Sequence, residues 1–125
     1  MSYILLVEDN QATADIVVRV LTAAGFEVRH FIRGLDGAKM ARQERPDLIL
    51  MDFNLPDVDG RTVVLLLRQQ LGGPAAPPIV AVTAQTGDKE RMLAKSYGCA
   101  AFVGKPFIPE DLLKLVTQLV KREKN

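Results

Sequence analysis

Five polar residues stand at the ends of short apolar runs in this 125-residue sequence. Glu8 and Asp9 follow the first run, Asp52 follows the third, Thr83 ends the fourth and Lys105 follows the fifth. Brought together, the three carboxylates and one ammonium carry a formal charge of minus two, which one divalent cation cancels. Carboxylate oxygens are the ligands that Mg²⁺ prefers, together with main-chain carbonyls and waters. With such a cation in place, the pocket could receive a phosphoryl group without adding to an already negative site.

The elements that must position these residues are five predicted β-α units, because short apolar runs alternate five times with segments of helical period. The predicted strands lie at 3–7, 26–31, 47–51, 79–83 and 101–104. The predicted helices lie at 11–24, from a turn at 34–37 to about 45, at 61–70, at 87–97 and from 109 onward. Asn10 is a predicted N-cap and Gly25 a predicted helix stop. The Gly- and Pro-rich segment 72–78 is a predicted loop.

The continuous apolar strands indicate a parallel sheet that is covered by helices on both faces. We therefore predict an α/β fold: a three-layer flavodoxin-like (βα)5 doubly wound parallel sheet with strand order 2-1-3-4-5. In that order strands one and three are neighbours, and right-handed crossovers place every carboxyl end at one edge of the sheet. Ligands bind at such an edge, so we expect the polar residues named above to form the functional site.

The composition bears on the possible partners, disulfide bonds and location of the chain. Sixteen Lys and Arg residues against fifteen Asp and Glu leave a net charge of +1, which gives no reason to propose nucleic acid or an anionic membrane as direct partner. Cys99 is the only cysteine, so no internal disulfide can form. No apolar run approaches the roughly 18 residues of a membrane span. We expect one cytoplasmic domain over 1–125, with the short basic segment 121–124 as a solvated helix tail.

The whole pattern resembles the receiver domain of bacterial two-component response regulators, over essentially the entire chain. The matching segments are ILLVEDN, PDLILMDFNLPDVDG, IVAVTA and FVGKPF. Each segment contains the carboxyl end of a predicted strand, and the four segments follow one another in the same order as in the family. The resemblance implies a single-domain receiver that acts as a phosphoprotein in signal transduction or a phosphorelay.

The resemblance implies that Asp52 takes a phosphoryl group from a phosphohistidine on a histidine kinase or a histidine phosphotransfer protein. Glu8, Asp9 and Asp52 would hold Mg²⁺ or Mn²⁺, with the main-chain carbonyl of Asn54 as a further ligand. The acceptor would not be a classical enzyme, although it would slowly lose the phosphoryl group to water. Asn54 and Gln85 would flank the path of that water and tune the lifetime of the phosphoryl group.

The resemblance also implies a conformational switch. Thr83 and Lys105 would each hold a phosphoryl oxygen, and Thr83 would move so that Phe102 can rotate inward, in a position where tyrosine is common in the family. Phe102 is equally compatible with a static core role. The Lys105-Pro106 peptide bond would be cis. The altered face, made by the fourth helix, fifth strand and fifth helix, would signal to an unknown downstream protein.

Several individual residues also have structural explanations. Glu8 and Asp9 alone fit the N-terminal cap of a helix, and Asp57 and Asp59 fit turn and N-cap positions better than metal ligands. His30, near the end of strand two, is interpreted as a structural or exposed residue rather than a phosphohistidine donor.

Three other functions fit parts of the pattern. A haloacid-dehalogenase-like Mg²⁺-dependent phosphatase would carry a second catalytic acid at the position of Asn54. A flavodoxin-like flavin carrier would need a phosphate-binding loop at the position of Glu8 and Asp9. A degenerate receiver that serves as a phosphorylation-independent scaffold would lack one of the acids or the lysine. The chain is expected to be either a stand-alone regulator or a receiver from a longer protein, and a weak homodimer is left open.

Overall fold

The computed structural model describes the backbone of residues 2–124 and the side chains of residues 2–121. Its strands are β1 (Ile4–Val7), β2 (Val28–Phe31), β3 (Leu48–Met51), β4 (Ile79–Thr83) and β5 (Ala101–Gly104). Its helices are α1 (Gln11–Ala23), α2 (Gly34–Gln43), α3 (Gly60–Gln70), α4 (Asp88–Ser96) and α5 (Pro109–Lys124), with a short 3₁₀ turn at Gly73–Ala75. The side chains of 122–124 lie outside the described residues, so the solvated basic tail stays a prediction. None of the described helices is long and apolar enough to cross a membrane.

The five strands form one parallel sheet in the order β2-β1-β3-β4-β5, which confirms the predicted fold class. Alternate residues of β1 enter opposite layers: Leu5 packs with the α2, α3 and α4 side, and Leu6 packs with the α1 and α5 side. Both faces of the inner strands are therefore buried in apolar core. This explains why those strands read as continuous apolar runs rather than as alternating ones.

Local capping signals in the sequence correspond to real helix ends. The Asn10 side chain accepts a hydrogen bond of 2.9 Å from the Thr13 amide at the start of α1. Asp59 caps α3 by accepting a bond of 2.9 Å from the Arg61 amide. Gly25 follows α1 with a φ of 97°, a left-handed conformation that glycine adopts without steric cost.

The predicted starts of α2 and β2 were wrong. Residues 34–37 are the first turn of α2 and not a separate turn. An added Cβ at Gly34 would lie 2.7 Å from Val58 Cγ2, and one at Gly37 would lie 2.6 Å from Val7 Cγ2, so these glycines permit close packing of α2. Strand β2 begins at residue 28 rather than 26, because the Phe26 amide donates to the Leu21 carbonyl at the end of α1.

Candidate functional site

The carboxyl edge of the sheet brings together the three predicted acids. One carboxylate oxygen from each of Glu8, Asp9 and Asp52 lies within 4.8 Å of the others. Glu8 is 1% exposed and Asp52 is 4% exposed, whereas Asp9 is exposed. The sheet explains this proximity, because Val7 and Met51 are paired neighbours and the acids follow them directly. The result is a compact cluster of negative charge at the junction of β1 and β3.

Lys105 lies inside this cluster. Its Nζ is 2.6 Å from Glu8 Oε1 and 2.9 Å from Asp52 Oδ2, and its side chain is 17% exposed. The Lys105-Pro106 peptide bond is cis, as predicted. Burial alone would lower the pKa of Lys105, but the hydrogen bonds to Glu8 and Asp52 reverse this effect and raise it. The lysine is therefore a fixed ammonium group that bridges two buried carboxyl groups.

Glu8 has a strongly perturbed environment. Burial raises the pKa of its carboxyl group to about 7, and the neighbouring Asp52 contributes in the same direction. Hydrogen bonds from Lys105 and from the Asn10 amide, which is 3.1 Å from Glu8 Oε2, oppose this rise. Burial of the Glu8 carboxyl group therefore outweighs the hydrogen bonds and the ion pair that favour its charged form.

The loop after β3 closes tightly around Asp52. The Asn54 amide donates to Asp52 Oδ1 at 3.0 Å, and the Gly60 amide donates to the Phe53 carbonyl at 2.9 Å. An added Cβ at Gly60 would overlap the main-chain carbonyl oxygen of Asp52. This role of Gly60 depends on a close approach to the Asp52 backbone that its place in the sequence does not reveal. The packing requires a residue without a side chain next to the Asp52 backbone.

Asp57 connects the same loop to α2. Its carboxylate accepts hydrogen bonds from the amides of Gly34 at 2.8 Å and Leu35 at 2.9 Å. Although desolvation opposes them, these amides lower the pKa of Asp57. Asp57 therefore caps the N-terminus of α2, whose bonded amides lie 23 and 22 positions earlier in the sequence, instead of serving only its own turn. Arg33, at the N-cap position of α2, makes no side-chain cap bond, so Asp57 supplies this cap from a distant loop.

The β4–α4 loop forms the opposite wall of the site. Thr83 at the end of β4 is fully buried, and its Oγ1 accepts a hydrogen bond of 3.3 Å from the Gln85 amide. The Gln85 side-chain amide donates to Asn54 Oδ1, also at 3.3 Å. The two residues predicted to tune phosphoryl lifetime therefore touch each other between the β3–α3 and β4–α4 loops.

Phe102 lies on β5, paired with Ala81 of β4, and its side chain is half-buried against the α2, α3 and α4 side of the core. The Arg91 guanidinium of α4 lies 4.8 Å from the centre of the Phe102 ring. This ring is thus covered by a cationic side chain at the edge of the sheet.

His30 contacts the acidic cluster through the backbone. It is half-buried at the end of β2, and its Nε2 lies 2.7 Å from the main-chain carbonyl oxygen of Glu8. The interpretation of His30 as a structural residue did not include this contact. Sequence separation concealed it, because the two residues are 22 positions apart.

A family model described as the response regulator receiver domain matches residues 4–117 of the chain. The chain belongs to the response regulator receiver domain family. This receiver domain is 38% identical over 119 residues to the transcriptional regulatory protein CreB of Escherichia coli, covering 95% of the chain and 51% of CreB. It is 37% identical over 105 residues to the polar-differentiation response regulator DivK of Brucella anthropi, covering 82% of the chain and 83% of DivK.

Among solved structures, this receiver domain is similar to the receiver domain of the sensor histidine kinase PA1611 from Pseudomonas aeruginosa. The TM-score is 0.86 at 30% identity, covering 96% of this chain and 98% of that one. The chain spans about half the length of the first curated relatives that it matches. These comparisons confirm the predicted family and, with the acidic cluster, identify a receiver domain with the pocket typical of a phosphoacceptor site.

Proposed function

We propose that this receiver domain accepts a phosphoryl group on Asp52 from a phosphohistidine of a histidine kinase or a histidine phosphotransfer protein. The observation that carries the proposal is the setting of the Asp52 carboxylate. It is buried at the end of β3, beside two further acids, and its Oδ2 lies 2.9 Å from the Lys105 ammonium. Phosphoryl transfer depends mainly on positioning and on neutralisation of charge, and this cluster is suited to both.

Mg²⁺ or Mn²⁺ fits the donor set that this pocket offers. Glu8, Asp9 and Asp52 supply carboxylate oxygens within 4.8 Å of one another, and the main-chain carbonyl of Asn54 is the further ligand that we propose. The three carboxylates and the Lys105 ammonium carry a formal charge of minus two, which one divalent cation would cancel. The solved PA1611 receiver domain has a magnesium ion coordinated in its active-site cleft. When bound, the ion would supply charge neutralisation for the incoming phosphoryl group.

The protein's own residues account for the remaining steps. An Asp52 carboxylate oxygen forms a bond to phosphorus while the P–N bond of the donor breaks, and the leaving imidazole keeps the electron pair. The Asn54 amide holds Oδ1 of Asp52 at 3.0 Å and so fixes the rotation of the carboxylate. We propose that Lys105 and Thr83 then each bind an oxygen of the transferred group. The product is an acyl phosphate.

We propose that Thr83 and Phe102 transmit the effect of phosphorylation to the surface of the domain. Thr83 would move towards the phosphoryl group, Phe102 would rotate inward, and the face made by α4, β5 and α5 would change for a downstream protein. The half-buried position of Phe102 beside α4 supports this proposal. A cytoplasmic location, the absence of direct nucleic-acid or membrane contact, and a weak homodimer stay predictions.

The acceptor role is tested by intact-mass measurement after incubation with a small acyl-phosphate donor and Mg²⁺. We expect the wild-type chain to gain one phosphoryl group and Asp52→Asn to gain none. An unchanged wild-type mass, or an undiminished gain in the Asn variant, would contradict the assignment. The same experiment without Mg²⁺ tests the metal requirement.

The decay of the modified mass measures phosphoryl lifetime. We propose that the contact of Asn54 with Gln85 controls the approach of water, so replacing both by other polar side chains should change the decay rate. Gln69→Ala is the matched control, because Gln69 is exposed on α3 and lies outside the site. If wild type, the double variant and Gln69→Ala all lose the phosphoryl group at the same rate, Asn54 and Gln85 do not control its lifetime.

A further inference from the structure

His30 is the single histidine of the sequence, and the acceptor chemistry does not use it. Its Nε2 lies 2.7 Å from the main-chain carbonyl oxygen of Glu8. A carbonyl oxygen can only accept a hydrogen bond, so Nε2 must carry the proton. The contact therefore assigns both the tautomer of the imidazole and the direction of the bond.

The bond continues the attachment of β1 to β2 beyond the end of the sheet. The last pair between these strands is Val7 with Phe31, and the Glu8 amide donates to the Phe31 carbonyl at 3.0 Å. The chain of β2 then turns away towards α2, which begins at Gly34. The His30 side chain takes the place of a main-chain donor, so that both the amide and the carbonyl of Glu8 are bonded to β2.

The Glu8 carbonyl belongs to the peptide group that joins Glu8 to Asp9. Holding this group fixes the plane from which both acidic side chains depart. The carboxylate of Glu8 has additional bonds to Lys105 and to the Asn10 amide, but Asp9 is exposed and depends more on its backbone for its position. The spacing of the acidic cluster therefore depends on a backbone group that His30 holds.

We propose that His30 is a positioning residue for the acidic pair, and that its bond to the Glu8 carbonyl increases the affinity of the pocket for Mg²⁺. This inference rests on the proposed function, because it concerns the same metal site. It assigns a role to an imidazole that lies outside the cluster and acts through the backbone.

The direct test is calorimetric titration of the unphosphorylated chain with Mg²⁺. His30→Phe keeps an aromatic ring but removes the donor, and we expect it to weaken Mg²⁺ binding by up to roughly tenfold, because the net free energy of one intramolecular hydrogen bond sets the upper limit. His30→Gln keeps a side-chain N–H donor and should recover part of the affinity. Equal affinity in wild type and both variants would overturn the inference.

Arg29→Met is the matched control. Arg29 is the neighbour of His30 in β2, but its guanidinium bonds to Glu27 and Glu44 instead of the site. We expect this variant to lose thermal stability while its Mg²⁺ affinity stays that of wild type. If Arg29→Met weakens Mg²⁺ binding as much as His30→Phe does, the effect is general loosening of β2 and the positioning role is wrong.

Nuclear magnetic resonance of the wild-type imidazole supplies a measurement that needs no variant. Because there is one histidine, its ring signals are unambiguous. We expect a hydrogen-bonded Nε2–H proton whose signal shifts when Mg²⁺ is added. A ring that is protonated only on Nδ1 would overturn the inference even if His30→Phe fails to fold.

The outcomes separate this inference from the proposed function. Failure of the wild-type chain to bind Mg²⁺ would remove the proposed metal site and the role of His30 with it. Normal wild-type binding together with an unchanged His30→Phe affinity would overturn only the role of His30.

Discussion

The two walls of the site are built with very different strength. The acidic wall, made by Glu8, Asp9, Asp52 and Lys105, contains buried carboxyl groups and ion pairs of 2.6 and 2.9 Å. In the readout wall, made by Thr83, Gln85, Arg91 and Phe102, the side chains make hydrogen bonds of 3.3 Å and one cation–π contact at 4.8 Å, although Thr83 and Phe102 have their backbones in the sheet. The loop segment 84–87, which contains Gln85, is exposed.

This difference separates a tightly held cluster of buried charge from a loop segment that can rearrange. Buried charges must remain paired, because an uncompensated buried charge is strongly destabilising. The acidic wall therefore resists movement. Exposed backbone and long hydrogen bonds cost little to rearrange, and Gly87 at the start of α4 offers no capping side chain. A switch that moves the readout wall while leaving the acidic wall in place is the arrangement that these energies favour.

The largest expected effect comes from removing the cation of the acidic wall. Lys105→Met leaves Glu8 and Asp52 without their ion-pair partner, so we expect a loss of about 3 kcal/mol in the free energy of unfolding. Urea unfolding measures it, with exposed Lys114→Met as the control that should change by less than about 0.5 kcal/mol. Equal, small losses in both variants would mean that the acidic wall is not strongly held.

The second prediction concerns the pH dependence of stability that Glu8 gives to the acidic wall. Burial raises the pKa of its carboxyl group in the folded protein to about 7, from an ordinary value of 4.5, so the folded state binds this proton more tightly. Its contribution to stability is fully present below the ordinary pKa of 4.5 and is lost as pH rises through about 7. The raised pKa of Lys105 also contributes stability, which is fully present at every pH below its ordinary value of 10.5 and is lost only at higher pH.

Unfolding by urea without added metal, in steps from pH 4.5 to pH 7, tests this expectation. Glu8→Gln lacks the titrating group and should gain stability relative to wild type as pH rises. Glu110→Gln, at an exposed position in α5, should follow wild type throughout. If the free energies of unfolding of wild type and Glu8→Gln change in parallel with pH, burial does not raise the pKa of the Glu8 carboxyl group.

The smallest expected effect belongs to the readout wall. Arg91→Gln removes the cation from the Phe102 ring at an exposed position, so we expect a loss of about 0.5 kcal/mol in the free energy of unfolding. Arg91→Lys keeps a cation and should lose less. A loss in Arg91→Gln as large as that in Lys105→Met would contradict the proposed difference between the two walls.

Much of this molecule could be predicted from local sequence. The five apolar runs became the five strands, and Asn10 and Asp59 cap the helices that follow them. A parallel sheet places the carboxyl ends of its strands at one edge, so the positions of Glu8, Asp52 and Lys105 after those runs already indicated a shared site. These features depend on periodicity and on contacts close along the chain.

Only the tertiary structure decided the contacts between distant segments. Asp57 caps α2 from the loop after β3, His30 of β2 bonds to the Glu8 carbonyl at the end of the neighbouring β1, and Gly34 permits α2 to approach Val58. In each case the residue type was compatible with an ordinary local role. Its actual role depends on how α2 and the loops pack over the sheet, and the free energy of that packing is shared among residues that no short segment of sequence brings together.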